Sequence, residues 1–528
     1  MPFPLPEYCP PPRATLKSQY HGRLARIGEP SQKPMPRTRK AMIRTVSLGA
    51  LVLGLAALAY SQGPRTRGPN VLFIGVDDLN DWIGPLGGHP QTQTPNLDNL
   101  AKRGVTFTRA YCQAPSCNPS RASLMTGIRP STSGVYRNTD VWRDAMPEAV
   151  TLPQHFMLHG YEVLGGGKTF HGPMNEAASW QAYFQFRGFL HPPNKPVNGI
   201  PRTGHFDWSG LAASADETED TKLAAWAERY LSEKHSKPFF LAVGFYRPHL
   251  PWYAPQSHFD RFPAERMELP PTLESDIDDV PKSALRSFRD HTNVTTHGEW
   301  RNAVAGYLAC INYADANVGR VLRALDNGPN ADDTIIVVWS DHGWQLGEKR
   351  QWRKFTLWER SARVVMMLAG PGVTAKNVKS GRTVELLDLY PTLVDLCELP
   401  ERPEVEGRSL RPLLADPDAP WDKPAITSIG HDRVTVRTER WRYTRYPDGE
   451  ELYDHSRDPM EWANLANDDK YAEIKRSLGD LLPKNPSRRE ILSYNDLPES
   501  ERRLVDVPEG EFRKSDPSNY VALPETTR

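Results

Sequence analysis

The sequence predicts an α/β fold: a large mixed, mostly parallel sheet sandwiched by helices, followed by a smaller domain built on an antiparallel sheet. Short apolar runs without polar alternation recur along the 528 residues, as in strands whose two faces are both covered by helices. Helix-like segments separate these runs, which favours parallel strands joined by crossover helices. Beyond about residue 424 the runs become short and alternating, which predicts antiparallel hairpins.

Five apolar runs are the predicted strands of the large sheet, and polar residues adjoin each of them. Ligands of α/β sheets gather beyond the carboxyl ends of the strands, so these polar residues are the first candidates for a functional site. The predicted helices lie at 95–101, 221–231 and 300–325. The predicted strands lie at 71–76, 161–164, 239–245, 335–339 and 363–368.

The chain divides into two predicted domains and a tail. The main domain is predicted at 68–423 and the smaller α+β domain at 424–485, with hairpin strands and a helix at 471–482 packed against them. Residues 486–528 are interpreted as a charged tail, since they are rich in charge and contain prolines.

The N-terminal region is predicted to be an export signal. An apolar run at 46–60 follows a basic flank and ends in small residues, the pattern of a secretory signal peptide, which we place at 35–61. The run is shorter than the ~20 residues of a membrane span, so an uncleaved anchor is the alternative and no stable span is expected. Residues 1–34 are interpreted as a non-native or disordered extension, with Met35 or Met42 as the true start. We therefore expect a periplasmic or secreted protein.

Composition narrows the classes of partner. The formal net charge is zero, so no global field draws the chain to nucleic acid or to an anionic membrane, and we expect no nucleic-acid partner. Only five cysteines occur, too few for a disulfide framework to organise the fold, although a single pair stays open.

Carboxylates follow two of the predicted strands. Asp77 and Asp78 come directly after the run 71–76, and Asp341 and His342 follow the run 335–339. Three carboxylates brought together repel one another unless a cation offsets their charge. Their oxygen atoms favour a hard ion, Ca²⁺ or Mg²⁺, to which His342 would add a nitrogen. The alternative for each pair is a turn or a helix N-cap.

Cys117 begins the sequence Cys-Asn-Pro-Ser-Arg, where a loop enters a predicted helix. Pro119 suits the first turn of a helix, and the exposed backbone N–H groups there favour an anion. Arg121 can hold an anionic oxygen by a charge-assisted hydrogen bond. The alternative is a surface turn, since x-Pro-Ser is common in turns. These five residues resemble the C-x-P-S-R signature of the sulfatases.

Four more polar residues adjoin predicted strands: Lys168, His171, His249 and Lys354. Each alone indicates little, because a histidine near a proline is commonly a structural contact and a lysine is commonly a solvated charge. Together they supply cations that bind sulfate oxygens and donors that protonate a departing alkoxide.

From residue 71 to about 465 the chain resembles a sulfatase of the alkaline phosphatase superfamily, and the iduronate-2-sulfatase group more than the arylsulfatases. That resemblance implies an alkaline-phosphatase-like fold and a catalytic role for the main domain. The chain departs from the iduronate-2-sulfatase group after His171 and in the loops at 182–216, and these loops are expected to shape sugar recognition. The matching stretches lie at 76–79, 95–98, 117–121, 124–127, 167–171, 248–251, 340–344, 346–348, 352–354 and 452–454.

The resemblance implies one Ca²⁺ per chain and a modified cysteine. A maturation enzyme would oxidise Cys117 to formylglycine, an aldehyde whose hydrate is the nucleophile in that family. An unmodified thiol is a mediocre nucleophile toward a sulfate ester, which is the physical reason to expect the modification. The implied metal ligands are Asp77, Asp78, Asp341, His342 and the modified Cys117.

The remaining site residues receive roles by position in the same way. Arg121 and Lys168 would hold the formylglycine hydrate, and His171 would take a proton from it in the step that releases sulfate. His249 and Lys354 would bind the sulfate group and assist the leaving alcohol.

The implied activity is hydrolysis of a sulfuric ester of a saccharide, with 2-O-sulfated uronic acid of a glycosaminoglycan or another sulfated polysaccharide as the expected substrate. Trp344 and Trp352, close to these motifs, favour a sugar ring over a small alkyl sulfate. Three alternatives stay open: a phosphodiesterase or phosphonate monoester hydrolase of the same superfamily, a sulfatase acting on another glycan, and a secreted glycan-binding protein without catalysis.

Overall fold

The computed structural model describes residues 68–201 and 203–497. The predicted signal peptide at 35–61, the extension at 1–34 and the tail from residue 498 onward lie outside the described residues. Among the helices in the described part of the chain, none combines the length and the apolar character needed to cross a membrane.

The strands and helices are labelled in chain order. The strands are β1 Asn70–Val76, β2 Gly104–Tyr111, β3 Glu162–Gly167, β4 Ala182–Phe184, β5 Trp208–Leu211, β6 Phe239–Phe245, β7 Trp252–Pro255, β8 Thr334–Ser340, β9 Gln345–Leu346, β10 Trp352–Arg353, β11 Arg363–Val364, β12 Met366–Ala369, β13 Val378–Glu385, β14 Ala425–Ile429, β15 Arg433–Arg437, β16 Trp441–Tyr446 and β17 Gly449–Asp454. The α-helices are α1 Pro95–Ala101, α2 Cys117–Thr126, α3 Pro130–Ser133, α4 Trp142–Ala145, α5 Leu152–Leu158, α6 Glu219–Leu231, α7 Gln256–Phe259, α8 Arg289–Thr296, α9 Trp300–Asp326, α10 Glu359–Ala362, α11 Leu389–Leu396, α12 Arg411–Ala415 and α13 Ala472–Gly479.

Nine strands form the large sheet, in the order β11-β2-β12-β8-β1-β6-β3-β4, with β13 paired to β2. The central strands β8, β1, β6 and β3 are parallel neighbours, and β12 runs antiparallel to β8 and β2. The prediction of a large mixed, mostly parallel sheet is confirmed. The predicted strand at 363–368 is divided at Val365 into β11 and β12, and both pieces run antiparallel to β2.

Helices cover both faces of this sheet, as the apolar runs predict. On one face Leu72 and Ile74 of β1 pack into a core cluster with α6 and α9. On the other face Val71 and Phe73 pack with α2, α5 and α11. All four side chains are buried, and full burial of such a side chain contributes about 1.5–3 kcal/mol.

A four-stranded antiparallel sheet, in the order β14-β15-β16-β17, forms the smaller C-terminal part. Val436, Tyr443 and Leu452 on its strands pack with Leu478 of α13 in a separate core cluster. The predicted antiparallel sheet with a helix against it is therefore confirmed.

Candidate active site

The predicted metal ligands meet because β1 and β8 run side by side in parallel. Val76 and Ser340 are register partners at the carboxyl ends of these strands, so the residues after them emerge together. The Asp78 backbone N–H donates to Asp341 Oδ1 at 3.1 Å. The potential ligand atoms form two overlapping groups, and within each group they lie within 4.8 Å of one another. The first group is Asp77, Asp78, Cys117 and His249. The second is Asp78, Cys117, Asp341 and His342.

Cys117 lies at the centre of this cluster, at the first residue of α2, and is 1% exposed. Lys354 Nζ donates to its Sγ at 2.9 Å and Lys168 Nζ at 3.6 Å, while His342 Nε2 lies 3.4 Å away. Burial raises the pKa of the Cys117 thiol, but the charges of Lys168 and Lys354 outweigh burial and hold it well below its usual value. The position therefore favours an anion.

Arg121 links two of the carboxylates from one turn further along α2. Its Nε donates to Asp341 Oδ2 and its Nη2 to Asp77 Oδ1, both at 2.9 Å, and its Nη1 donates to the carbonyls of Lys168 and Thr169. The guanidinium is fully buried. Its contacts in the structure are thus to carboxylates and backbone, and its predicted contact with a hydrate at position 117 stays a prediction.

The carboxylates sit in an electrostatically strained environment. Burial is the largest influence on the pKa of each carboxylate. It raises the pKa of Asp77 and Asp78 despite Lys168 and Lys354, whereas for Asp341 the charges of Arg121 and His342 outweigh burial and hold the pKa well below its usual value. Asp78 Oδ2 is buried without a hydrogen-bond partner among the described residues, and Asp78 adopts a φ of 60°, unfavourable for a residue with a Cβ. An unpartnered buried carboxylate oxygen is a strong argument that a cation belongs there.

His342 is oriented as a metal-binding histidine would be. Its Nδ1–H donates to the carbonyl of Gly343 at 2.9 Å, since a carbonyl oxygen only accepts. Nε2 therefore faces the cluster, 3.4 Å from Asp78 Oδ1 and from Asp341 Oδ2. A backbone carbonyl that fixes the other ring nitrogen is the usual support for a ligating histidine.

The two predicted lysines both contact Cys117. Lys354 Nζ donates to Asp78 Oδ1 at 2.6 Å, and Lys168 Nζ forms an ion pair with Asp77. Lys168 follows β3 and crosses close to β6 at Gly244, where a Cβ would overlap the Lys168 backbone. A glycine there is therefore part of what delivers this lysine to the site.

The two predicted histidines border the same cluster. His249 Nε2 lies 3.8 Å from Asp78 Oδ2, and its Nδ1–H donates to the Leu250 carbonyl at 2.6 Å. Burial first, and then the charges of Lys168 and Lys354, lower the pKa of His249 well below its usual value. Burial also lowers the pKa of His171, although the nearby Cys117 thiol raises it. Both imidazoles are therefore neutral bases at neutral pH.

A cavity of 360 Å³ lies against Lys168, His171 and His249. Phe189 and Tyr246 form part of its wall, with their ring centres 4.2 Å apart. Its aromatic lining suits the apolar face of a sugar ring. The other aromatic lining residues are Phe170, Tyr183 and Phe186.

The expectation that Trp344 and Trp352 face a sugar is wrong. They are 1% and 5% exposed and belong to the core cluster between the large sheet and α9. The Trp344 ring instead lies beneath Lys354, whose Nζ is 5.4 Å from the ring centre. Tryptophan is large enough to be recruited into a core, and its position next to a motif does not decide which side it faces.

Three site residues were not predicted. Ser120 Oγ donates to the Asp341 carbonyl at 2.5 Å, and Tyr307 OH donates to the Asp78 carbonyl at 2.7 Å. The Tyr246 ring centre lies 5.3 Å from Lys168 Nζ. Ser120 stands inside the cysteine motif and Tyr246 directly after β6, which are the signals that point to them. Tyr307 is in the middle of α9, far from any motif.

Comparison with known proteins identifies the family. The family description "Sulfatase" matches residues 69–399, and "N-sulphoglucosamine sulphohydrolase, C-terminal" matches residues 347–487. The sulfatase of Formosa agariphila is 39% identical over 439 residues, covering 79% of this chain and 86% of that protein. The iduronate 2-sulfatase of Homo sapiens is 29% identical, covering 84% and 99%. The delta 4,5-hexuronate-2-O-sulfatase of Bacteroides thetaiotaomicron is 31% identical, covering 81% and 89%.

Solved structures of the same fold agree with this comparison. A 2-O GAG sulfatase superposes with a TM-score of 0.62 at 25% identity, covering 78% of this chain and 91% of that one. The phosphonate monoester hydrolase of Agrobacterium radiobacter superposes with a TM-score of 0.63 at 23% identity, covering 78% and 94%, a similarity of fold alone. The family match spans more than half of the chain, and the carboxyl ends of β1 and β8 carry the cluster around Cys117. The chain belongs to the sulfatase family, whose members hydrolyse sulfate esters and share the alkaline-phosphatase-like fold.

Proposed function

We propose that this sulfatase removes sulfate from a sulfated saccharide, with 2-O-sulfated uronic acid as its substrate. The observation that carries the proposal is the position of Cys117 Sγ, buried in contact with the ammonium groups of Lys168 and Lys354 and next to three carboxylates. The uronate substrate is supported by two relatives named for it, the iduronate 2-sulfatase and the delta 4,5-hexuronate-2-O-sulfatase. The cavity beside His249, with its aromatic wall, supports a sugar ring as the leaving group.

Cys117 is proposed to be the precursor of a formylglycine. Its Sγ then marks the place of the hydrated aldehyde's oxygens, one of which would supply the nucleophile while the other allows the sulfated intermediate to collapse. The maturation enzyme would reach Cys117 before folding is complete, because the folded chain leaves only 1% of this residue exposed.

One Ca²⁺ is proposed at the cluster. The donor set fits a hard cation, because it offers carboxylate oxygens, one of them buried and unpartnered, and a histidine Nε2 directed at them. When bound, the ion would offset the charge of the carboxylates and polarise an oxygen at position 117. The residues proposed to hold it are Asp77, Asp78, Asp341, His342 and the modified Cys117.

Lys168 and Lys354 are proposed to bind the sulfate oxygens and to stabilise the negative charge that develops there. Arg121 holds Asp77 and Asp341 in place through an ion pair with each. His171, kept neutral by burial, is proposed to accept the proton from the hydrate when sulfate is released.

Protonation of the leaving alcohol is assigned to Lys354. In neutral His249 the ring proton is on Nδ1, bonded to Leu250, so Nε2 carries a lone pair and accepts a hydrogen bond. His249 is therefore proposed to accept a hydrogen bond from a hydroxyl group of the saccharide and so to orient the substrate, while proton donation to the leaving oxygen falls to Lys354. Lys354 carries its protons already, because Asp78 and Cys117 raise its pKa despite burial.

Export is a further part of the proposal. We propose that residues 35–61 direct the chain to the periplasm or the exterior of the cell, that 68–423 form the catalytic domain, and that 424–485 form the smaller domain. The N-terminal sequence of the exported protein tests the first of these statements.

The test of the function is turnover on a panel of saccharide esters that differ in the position of the sulfate group, together with phosphate and phosphonate esters of the same alcohols. Disaccharides with a 2-O-sulfated uronic acid should be hydrolysed fastest, sulfates at other positions more slowly, and the corresponding phosphate and phosphonate esters least. A phosphonate or phosphodiester preferred over every sulfate would replace the proposal with the alternative activity of the same superfamily.

A further inference from the structure

Arg286 is a cation that lies against the same aromatic ring as a lysine of the proposed sulfate site. Its Cζ lies 4.7 Å from the centre of the Phe355 ring, and Lys354 Nζ lies 5.9 Å from the centre of the same ring. Within 68–201 and 203–497, no carboxylate forms an ion pair with the Arg286 guanidinium; nearby Asp290 pairs with Arg353 instead. The face of an aromatic ring attracts cations, so Phe355 holds Arg286 next to the lysine that contacts Cys117.

The backbone on both sides of this pair is fixed. The Arg286 N–H donates to Oε1 of the buried Gln351 at 3.1 Å. Ala284 packs in a core cluster with Trp358, next to the C-terminal sheet. The Phe355 N–H donates to the carbonyl of Pro115 at 3.1 Å, two residues before Cys117. The backbones of Arg286 and Phe355 are therefore held by packed segments, and the Arg286 guanidinium lies against the same ring as the lysine that contacts Cys117.

Two further arginines extend the positive charge, and together with Arg286 they form what we call the arginine patch (Arg286, Arg353 and Arg433). Arg433, the first residue of β15, is loosely paired with Asp432 at 3.8 Å. Arg286 is exposed overall, but partial desolvation, followed by the charges of Arg433 and Arg353, lowers its pKa, although Asp290 raises it. Asp290 offsets the charge of Arg353 and Asp432 offsets that of Arg433 in part, so Arg286 is the member of the patch most available to an added anion.

We propose that the arginine patch is a second anion subsite, which binds a carboxylate or a second sulfate group of the saccharide whose scissile sulfate lies between Lys168 and Lys354. This inference rests on the proposed function and adds to it the feature that selects a polyanionic saccharide. Arg286 is the central residue, because in the part of the chain that the structure describes no carboxylate pairs with its guanidinium, which can form two parallel hydrogen bonds to a carboxylate or a sulfate. It is a binding residue for the substrate and takes no part in bond cleavage.

Affinity is measured by calorimetry in the Cys117→Ser variant, which leaves the substrate intact under the proposed mechanism. The probes are a disaccharide with a 2-O-sulfated uronic acid and a second sulfate group, its carboxyl-reduced form, its form without the second sulfate, and 4-nitrophenyl sulfate. Introducing Arg286→Ala into the Cys117→Ser variant should raise the Kd for the disaccharide about tenfold or more, the loss expected when one charge-assisted hydrogen bond is removed. Binding of 4-nitrophenyl sulfate should not change.

Arg229→Ala is the matched control. Arg229 is exposed in the last turn of α6, shortly before β6 begins. It therefore lies near the amino ends of the parallel strands, and the site lies at their carboxyl ends. If carboxyl reduction removes the effect of Arg286→Ala, the bound group is the carboxylate, and if loss of the second sulfate removes it, the group is that sulfate. Equal weakening of the disaccharide and the aryl sulfate, no weakening, or no measurable binding of the disaccharide would overturn the inference. Failure of the wild-type enzyme to hydrolyse any sulfate ester would instead overturn the proposed function, whatever the binding data show.

Discussion

Val76 of β1 and Ser340 of β8 are register partners, and the residues that follow them carry the carboxylates of the site. Because parallel strands end at the same edge of a sheet, Asp78 and Asp341 are brought together from positions 263 residues apart in sequence. A shift of this register by one residue would turn the polar side chains away from one another. The pairing of two apolar strands thus determines the geometry of the charged cluster.

Replacing Lys354 by alanine should lower kcat/KM by about 10²–10³, the usual loss when one stabilising donor is removed from a buried site. Its Nζ is 2.9 Å from Cys117 Sγ, so the effect should fall mainly on kcat. Steady-state kinetics on the 2-O-sulfated disaccharide check this. Lys102→Ala, an exposed lysine just before β2, is the control and should behave as wild type.

Calcium should raise the melting temperature of the enzyme, and Asp78→Asn should abolish most of that increase. A ligand present at 100 times its Kd stabilises the folded state by about 2.7 kcal/mol, provided that it does not bind the unfolded chain. Differential scanning fluorimetry with calcium and with chelator measures the shift without relying on activity. Asp326→Asn, an exposed carboxylate paired with Arg103, should keep the full response; an equal response in Asp78→Asn would remove this residue from the ligand set.

When kcat is plotted against pH, its decrease on the acid side should occur below pH 6.5. Burial disfavours the charged imidazole of His171 and lowers its pKa from the usual 6.5, so the neutral base persists to lower pH than a free histidine would. The rate should fall as the pH drops through this lowered pKa. A pH series with wild type and His171→Gln checks the assignment, since the variant should be slow and should lack that decrease. A decrease that persists unchanged in the variant belongs to another group.

Arg129→Ala should destabilise the fold by about 3–5 kcal/mol, because it leaves the buried carboxylate of Glu385 short of its main partner. Arg129 binds Glu385 through both oxygens, at 2.5 and 2.6 Å. Burial raises the pKa of Glu385, but Arg129 and Lys423 lower it to about 2, below its unfolded value. The stabilisation is therefore fully present above the unfolded pKa and is lost as the pH falls toward 2.

Urea unfolding at several pH values measures this difference. The gap in unfolding free energy between wild type and Arg129→Ala should be largest near neutral pH and should shrink with acidification. Glu385→Gln tests the same contact with a neutral side chain of similar shape. A gap that does not depend on pH would contradict the assignment of the lowered pKa to this ion pair.

The strands with continuous apolar runs were predictable, and strands with polar interruptions were not. β1, β6 and β8 are continuous apolar runs because helices cover both of their faces. β2 and β13 were missed, since Thr106, Arg109 and Arg382 interrupt their apolar pattern. An interrupted run is a weaker signal for a strand than a continuous one, even where the strand is paired on both sides, as β2 is.

The same reasoning separates the site residues that were predicted from those that were not. Strand-end carboxylates and the cysteine motif are visible in sequence because the chemistry requires those residue types at those places. Tyr307 and Phe355 reach the site through the packing of α9 and of the segment after β10, which no local pattern reveals. The orientation of Trp344 depends on the same packing and could not be read from its position next to Asp341 and His342.

Mass spectrometry of the tryptic peptide 110–121 tests the central claim most directly. In active protein the side chain at position 117 should have an aldehyde in place of the CH₂–SH group of cysteine, and it should react with a hydroxylamine probe. Specific activity should rise in proportion to the converted fraction across preparations. Full activity in protein whose peptide contains only unmodified Cys117 would contradict the account.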